Sequence, residues 1–250
     1  MPSTTPPVFL VEEVPASGDL VLDGEEARHA ATVRRMRAGE RLVVSDGRGS
    51  AAECVIAGVR PRCAPVLDLS VSRRWTEPGP AVRVVVAQAL AKGDRGELAV
   101  ELTTEAGADE ILPWRAERSV VRWEEGPRGA KALARWQNTA RAAAKQARRA
   151  WVPPVREPVT TAQLAEVVAR AACAVVLEGS ASRRLTSLSL PEAGDVVLVV
   201  GPEGGITDGE LETLTAAGAV GVRLGPTVLR TSTAAAVALG ALGAMTSRWA

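Results

Sequence analysis

A single histidine, His29, in 250 residues excludes most zinc sites and leaves one candidate for any triad that needs a base histidine. Tyrosine is absent, and only three of the thirty basic residues are lysine, which reads as base composition of the genome and not as function. The cysteines Cys54, Cys63 and Cys173 form no CxxC pair, and their odd number leaves at least one thiol without an intrachain partner. A reduced, cytoplasmic chain without metal is the simpler reading. Charge of one sign is not in excess: 30 basic residues face 29 acidic ones, so any sign of a nucleic-acid or membrane partner must be local. Long apolar runs are missing too. The longest, Ala234 to Met245, is twelve residues with glycines inside, short of the roughly 20 a membrane helix needs. The opening MPSTTPPVFLVEEV has neither a basic leader nor a continuous apolar core, so no secretory signal is expected. What is present is 46% hydrophobic and 24% charged sequence, enough to bury one large core or two modest ones.

The texture changes near residue 75. Before it, Val8 to Val14, Arg41 to Ser45, Ala52 to Val59 and Val66 to Ser72 are short strand-like runs. They are broken by turn chemistry at Pro15, Ser17-Gly18-Asp19, Asp46-Gly47 and Arg60-Pro61. Asp46-Gly47 predicts a hairpin, and a helix is predicted from about Glu25 to Met36. Residues 1–74 are therefore expected to form a small β-barrel or sandwich domain, with 75–80 as linker. After it, Val82 to Ala87 is a continuous apolar strand of the kind buried on both faces of a parallel sheet. Helices follow, with Asp94 as cap and Glu97 at N3, from about Gly129 to Ala150, at the Thr160-to-Gln163 capping box, over Asp208 to Ala217, and from about Thr233 to Ser247. Strands at Glu110 to Leu112, Ala174 to Leu177, Val196 to Val200 and Gly221 to Leu224 alternate with them. Residues 81–250 thus predict an α/β domain with a mostly parallel sheet.

The strongest chemical signal is Val199-Val-Gly-Pro-Glu-Gly-Gly-Ile206, where an apolar strand enters a glycine-rich turn and Thr207 with Glu210 caps a helix. An ordinary strand-to-helix turn needs one glycine; three, with Pro202 and Glu203, point to backbone approaching a ligand at the strand's carboxyl end. GxxxxGK[ST] is absent, so this is no P-loop. A second such turn, Leu224-Gly-Pro-Thr-Val-Leu-Arg-Thr-Ser-Thr-Ala234, follows the last strand. Its hydroxyls can be mere caps. Arg230, however, gains nothing from the positive end of a helix dipole and is better placed for an anion. Leu177-Glu-Gly-Ser180 ends a third strand. Between Glu125 and Glu157 there is no acid but eight bases, among them Arg128, Arg135, Arg141, Lys145, Arg148 and Arg149. Such a face either meets phosphate or pairs with acids from elsewhere. Trp136 and Trp151 either stack on bases or belong to the core. A second basic patch runs from Arg28 through Arg34, Arg35 and Arg37 to Arg41.

VGPEGGI followed by LGPTVLRTSTA resembles the paired cofactor loops of the SPOUT class of RNA methyltransferases, and within it the ribosomal small subunit methyltransferase E family. HAATVRRMRAGE (29–40), QALAKGDRGEL (88–98), TEAGADEILP (104–113), ERS (117–119) and RWQ on the long helix agree. The resemblance implies S-adenosylmethionine-dependent methylation of N3 of a uridine in 16S ribosomal RNA, as free RNA or in the assembled small subunit. It also implies an N-terminal RNA-binding domain of PUA type, a trefoil knot over about 174–235, and a homodimer with its active site at the interface. The cofactor would lie against Leu177, Glu178 and Gly179, against Val200, Gly201, Pro202, Gly204, Gly205 and Ile206, and against Leu224, Gly225, Pro226, Val228, Leu229, Thr231, Thr233 and Ala234. Arg230 would stabilise the developing anion and Glu203 would serve as base, with Thr231 and Ser232 orienting the uracil edge. Arg28, Arg34, Arg35, Arg118, Arg135, Arg141, Lys145, Arg148 and Arg149 would bind RNA. Where the family carries a lysine, a Glu-Leu-Gly, an acid and RTETA, this chain has Leu102, Ala106, Lys145 and Ser232. Alternatives in the same class are methylation of a ribose 2′-oxygen or of transfer RNA, and outside it a non-catalytic assembly factor. A Rossmann oxidoreductase is disfavoured because Gln88-Ala-Leu-Ala-Lys-Gly stands where GxGxxG belongs.

Overall fold

The computed structural model describes residues 5–60 and 65–249, so Cys63 and the Arg60-Pro61 turn lie wholly or partly outside it. The chain divides into two compact units: residues 1–79 with Ala144–Val152, and Pro80–Ala143 with Pro153–Ala250.

The first unit is a small β domain whose bounds differ from the expected 1–74, because it runs to Gly79 and takes in Ala144–Val152. Strands β1 (Val8–Leu10), β2 (Leu20–Leu22), β3 (Arg41–Ser45), β4 (Ser50–Arg60) and β5 (Val66–Thr76) form one sheet in the order β1-β3-β4-β5-β2. The β3–β4 hairpin turns at Asp46, whose Oδ1 accepts from the Arg48 and Ser50 amides at 2.7 and 3.0 Å. Gly49 sits at φ +100°, and a Cβ there would meet the Trp151 ring at 2.6 Å, so only glycine fits. β5 runs on through Trp75 and Thr76, which corrects the expected linker start at 75. The helix expected to Met36 is shorter. Helix α1 (Gly24–Arg28) passes into one π-helical stretch, His29–Val33, and Arg35 at φ 54° ends it, with the Met36 amide donating back to the Ala30 carbonyl. Phe9, Leu22, Leu42, Ile56, Leu67 and Leu69 fill the core.

The second unit has a five-stranded, fully parallel sheet: β6 (Val82–Ala89), β7 (Glu110–Trp114), β8 (Cys173–Leu177), β9 (Gly194–Val200) and β10 (Val220–Val222), in the order β10-β8-β9-β6-β7. Side chains alternate between two buried faces, which explains the unbroken apolar runs. Val84 and Val86 face helices α2 (Arg95–Glu105), α3 (Pro127–Gln146) and α6 (Thr231–Met245). Val85 and Ala87 face α4 (Thr161–Arg170) and α5 (Asp208–Ala216). Both expected capping boxes form, at Thr160/Gln163 and Thr207/Glu210. Asp94 makes no capping bond with its side chain. The long helix stops at Gln146, not Ala150, because Arg148 takes φ 56° and the Arg149 amide closes onto the Ala144 carbonyl at 2.9 Å. No helix among the described residues is long and apolar enough to cross a membrane.

Candidate active site

Parallel strands β10, β8, β9 and β6 lie side by side, so the loops leaving their carboxyl ends share one edge of the sheet. The loops after β8, β9 and β10 enclose a cleft of about 430 Å³. Every cofactor-loop residue named above lines it except Gly204, Pro226 and Thr233; Arg230 and Glu203 line it too. Gly204 instead faces Arg118, whose Nη1 donates to the Gly204 carbonyl at 3.3 Å; a Cβ on Gly204 would lie 3.1 Å from that of Arg118. The Thr233 hydroxyl closes the first turn of α6 on the Arg230 carbonyl at 3.2 Å, and Pro226 is exposed.

The glycine-rich loop has reasons for its composition. A Cβ on Gly201 would meet Ile206 Cγ1 at 2.7 Å, and Gly205 takes φ +77° while its amide donates to the Pro202 carbonyl at 2.9 Å. Its far end is pinned by Glu210, which is 5% exposed. The Glu210 carboxylate accepts from the Glu117 amide at 2.8 Å, the Thr161 hydroxyl at 3.1 Å and the Thr207 amide at 3.1 Å. A buried charge with three donors is satisfied, and it ties the 115–119 loop and α4 to the loop after β9.

Thr231 lines the cleft as expected of a cofactor-loop residue, but the uracil-orienting role expected of Thr231 and Ser232 meets a different geometry. The Thr231 hydroxyl donates to the Gly201 carbonyl at 2.8 Å and accepts from Gln88 Nε2 at 3.0 Å, stitching the ends of β9 and β6 to the start of α6. Ser232 is 2% exposed and lies outside the cleft lining. The Thr231 hydroxyl is thus engaged inside the fold, and burial keeps Ser232 away from a base edge. From Leu224 to Arg230, by contrast, no backbone N–H donates to a protein acceptor among the described residues. A run of amides without internal partners beside a cleft is a ready set of ligand donors.

The charged lining is mixed. Glu203 is exposed, and its Oε1 accepts from the Lys92 amide at 3.3 Å. Glu178 accepts a hydrogen bond from the Ser180 hydroxyl. Arg230 is exposed at the N-cap of α6. Arg95, Arg223, Val222 and Thr227 also line the cleft and were missed. Arg95 follows β6, whose neighbour in the sheet is β9, so the strand-end rule would have found it had the strand order been known.

The basic candidates differ in their fates. Lys145 is corrected: its Nζ lies 2.7 Å from Glu26 and 5.6 Å above the Phe9 ring, with its side chain 18% exposed, so it is a structural cation and not free for RNA. Arg135 pairs with Glu97 at 3.3 Å while staying largely exposed. Arg28, Arg34, Arg35, Arg118, Arg141 and Arg148 are exposed, and Arg149 is half-buried. The two tryptophans are structural: Trp136 is 3% exposed and packs edge-on to Trp123 at 4.9 Å, and Trp151 donates to the Glu77 carbonyl.

Residues 77–243 match an RNA methyltransferase domain and residues 22–62 an RNA methyltransferase PUA domain. The chain is 50% identical over 252 residues to the ribosomal RNA small subunit methyltransferase E of Mycobacterium bovis, covering 97% of this chain and 93% of that one. It is 33% identical over 245 residues to the protein of the same name from Bacillus subtilis, covering 94% and 93%. A crystal structure of the Neisseria gonorrhoeae protein of that name, bound to S-adenosyl methionine, superposes with a TM-score of 0.82 at 27% identity, covering 96% and 98%.

Proposed function

The chain belongs to the ribosomal RNA small subunit methyltransferase E family, and on that premise we propose that it transfers a methyl group from S-adenosylmethionine to N3 of a uridine in 16S ribosomal RNA. The observation that carries the reading is the convergence of three strand-end loops on one cleft whose last loop offers unpaired backbone amides.

The residues present fit the cofactor. Gly225 has nothing within 4 Å of a built Cβ, and Gly179 only Val228 Cγ2 at 4.0 Å, so both leave room for a ligand that side chains would take. The cleft volume lies in the range of small-molecule sites, ~300–1,000 Å³. Backbone amides of Gly225, Thr227, Val228 and Leu229 would hold its polar groups, and Leu177, Val200 and Ile206 its apolar surface. When bound, S-adenosylmethionine supplies an electrophilic methyl group.

The protein's task is to make uracil N3 a nucleophile and to aim it. N3 carries a proton and reacts only as that proton leaves. Glu203 stands at the cleft wall as the acceptor, held by the Lys92 amide. Arg230 stabilises charge that spreads onto the carbonyl oxygens. Fixing the loops by the Thr231 and Glu210 bonds keeps donor and acceptor in line. Exposed arginines, Arg141 and Arg148 among them, supply phosphate contacts, and the PUA-type unit with Arg28, Arg34 and Arg35 adds to them. The reading carries with it a homodimer with the site at its interface and a trefoil knot through the loops of the second unit.

The test is mass mapping of small-subunit RNA treated with protein and cofactor, as free RNA and as assembled subunit. N3-methyluridine is expected. A methyl group on a ribose 2′-oxygen or on transfer RNA would replace this target with the alternatives of the same class. Calorimetric binding of cofactor with no product on either substrate would point to an assembly factor.

A further inference from the structure

Beside the cofactor cleft lies a second hollow of about 940 Å³, and Arg95 and Glu203 line both. Leu98 and Val120, 41% and 75% exposed, give it an apolar lining in contact with water. Lys92 and Arg95 are outnumbered there by Asp94, Glu97, Glu101 and Glu203, which disfavours a phosphate backbone and leaves an uncharged base as the better guest. Arg95 itself is half-buried, and no described residue accepts from or pairs with its guanidinium. The backbone that carries it is closely packed: a Cβ on its neighbour Gly96 would meet Trp136 Cζ2 at 2.9 Å, and Trp136 packs edge-on against Trp123. A guanidinium held partly out of water with no carboxylate within 4 Å carries a desolvation cost that charge developing on a bound base would relieve.

Building on the methyltransferase reading above, we propose that this hollow receives the unstacked target uracil and that Arg95 is a catalytic residue binding one of its carbonyl oxygens as N3 becomes anionic. In the transfer the N3–H bond breaks and its proton passes to Glu203. The N3 electron pair forms the new bond to the methyl carbon, and the pair of the broken carbon–sulfur bond stays on sulfur. The anion's charge spreads onto O2 and O4, which flank N3 on opposite sides, with the methyl group approaching between them. One guanidinium does not serve both. Arg230, opening α6, and Arg95, opening α2, come from different loops and divide the two oxygens between them.

The experiment compares wild type, Arg95→Met, Arg95→Lys and Val120→Glu on small-subunit RNA, with calorimetry for S-adenosylmethionine and S-adenosylhomocysteine. Arg95→Met is expected to lower kcat by roughly 10²–10³-fold and to move the rising limb of its pH profile upward. Affinity for S-adenosylhomocysteine stays unchanged, while the cationic S-adenosylmethionine binds equally or more tightly. Arg95→Lys recovers part of the loss, since it keeps the charge without the fork. Val120→Glu raises KM for RNA with cofactor affinity intact. Parallel loss of both cofactor affinities would place Arg95 on a carboxylate of the cofactor and overturn the proposal. So would an unchanged kcat in Arg95→Met, or an unchanged KM in Val120→Glu. Should Arg95→Met not fold, full activity of Arg95→Lys with an unshifted limb overturns it alone. A wild type that binds cofactor but does not methylate N3 refutes the function on which the proposal rests; a competent wild type indifferent to Arg95 refutes the proposal only.

Discussion

Replacing Thr231 by valine tests whether the cleft is held by internal bonds or by ligand contacts. Valine keeps the branched shape, and Thr231 is only 6% exposed, so packing changes little. What goes is the hydroxyl, which donates to the Gly201 carbonyl at 2.8 Å and accepts from Gln88 Nε2 at 3.0 Å. A net hydrogen bond is worth about 1 kcal/mol, and a buried acceptor left alone costs about 1–3 kcal/mol. Gln88 retains the Ala89 carbonyl at 3.2 Å, but its Oε1 already has no partner, so its site has little slack. The Gly201 carbonyl is left with none. Gly201 borders the cleft, where water can reach its carbonyl, so the expected loss is about 1–2 kcal/mol for the two bonds, read as lowered protection of β9 amides in native-state hydrogen exchange. Thr231→Ser keeps the hydroxyl and should lose less than about 1 kcal/mol, the worth of a buried methylene. Loss of uridine methylation with unchanged protection would put the hydroxyl on the substrate, as the sequence alone had suggested, and refute the reasoning.

Glu210→Ala strips three donors of their acceptor, so a loss of about 3–5 kcal/mol is expected, with weaker cofactor binding by calorimetry; a loss under 1 kcal/mol would mean water replaces the carboxylate. Arg230→Ala is expected to cut kcat by roughly 10²–10³-fold with little change in cofactor affinity; equal losses would assign it to cofactor binding. Arg141→Glu with Arg148→Glu should weaken RNA binding and flatten its salt dependence, the slope of log K against log salt falling by about one unit per contact removed; filter binding across a salt series reads it. Burial pushes the Cys54 thiol from 9.0 to about 11. Between those pH values the unfolded chain releases a proton that the folded chain keeps, so stability falls as pH rises, by about 1.4 kcal/mol per unit. Cys54→Ala should remove that slope in urea melts, and a persistent slope would assign it to another group.

What could be read from the sequence was what local chemistry writes. Two capping boxes, the apolar strands of a parallel sheet, the Asp46-Gly47 hairpin and the positions of the three strand-end loops all depend on neighbours a few residues apart, and each of these elements forms where the sequence put it. What escaped depends on the fold. β2 is three residues long and leaves no periodicity to detect. The end of α3 rests on an arginine in the left-handed region, where composition announces glycine. Lys145 meets Glu26 across 119 positions of sequence, and Arg95 reaches the cleft only because β6 lies beside β9.

The basic residues show why counting charge is a poor guide here and pairing a better one. Arg83 and Arg156 share Glu110, Arg248 lies 2.6 Å from Asp109, and Lys145 holds Glu26. Each is answered within its own unit, and where such pairs are exposed they add little, ~0–1 kcal/mol. They tie strands and termini together, and each has a carboxylate that answers its charge at least in part. Arg95 and Arg230 line the cleft without an ion pair within 4 Å among the described residues, although Glu178 and Glu203 share that lining. For exposed Arg230 that costs nothing. For half-buried Arg95 the fold gives up hydration and receives no ion pair in return, an arrangement that stability alone does not explain. A chain of net charge +1 can therefore still present cations at a cleft: several of its acids pair with structural cations, while Arg95 and Arg230, the two proposed to meet the base, form no such pair among the described residues.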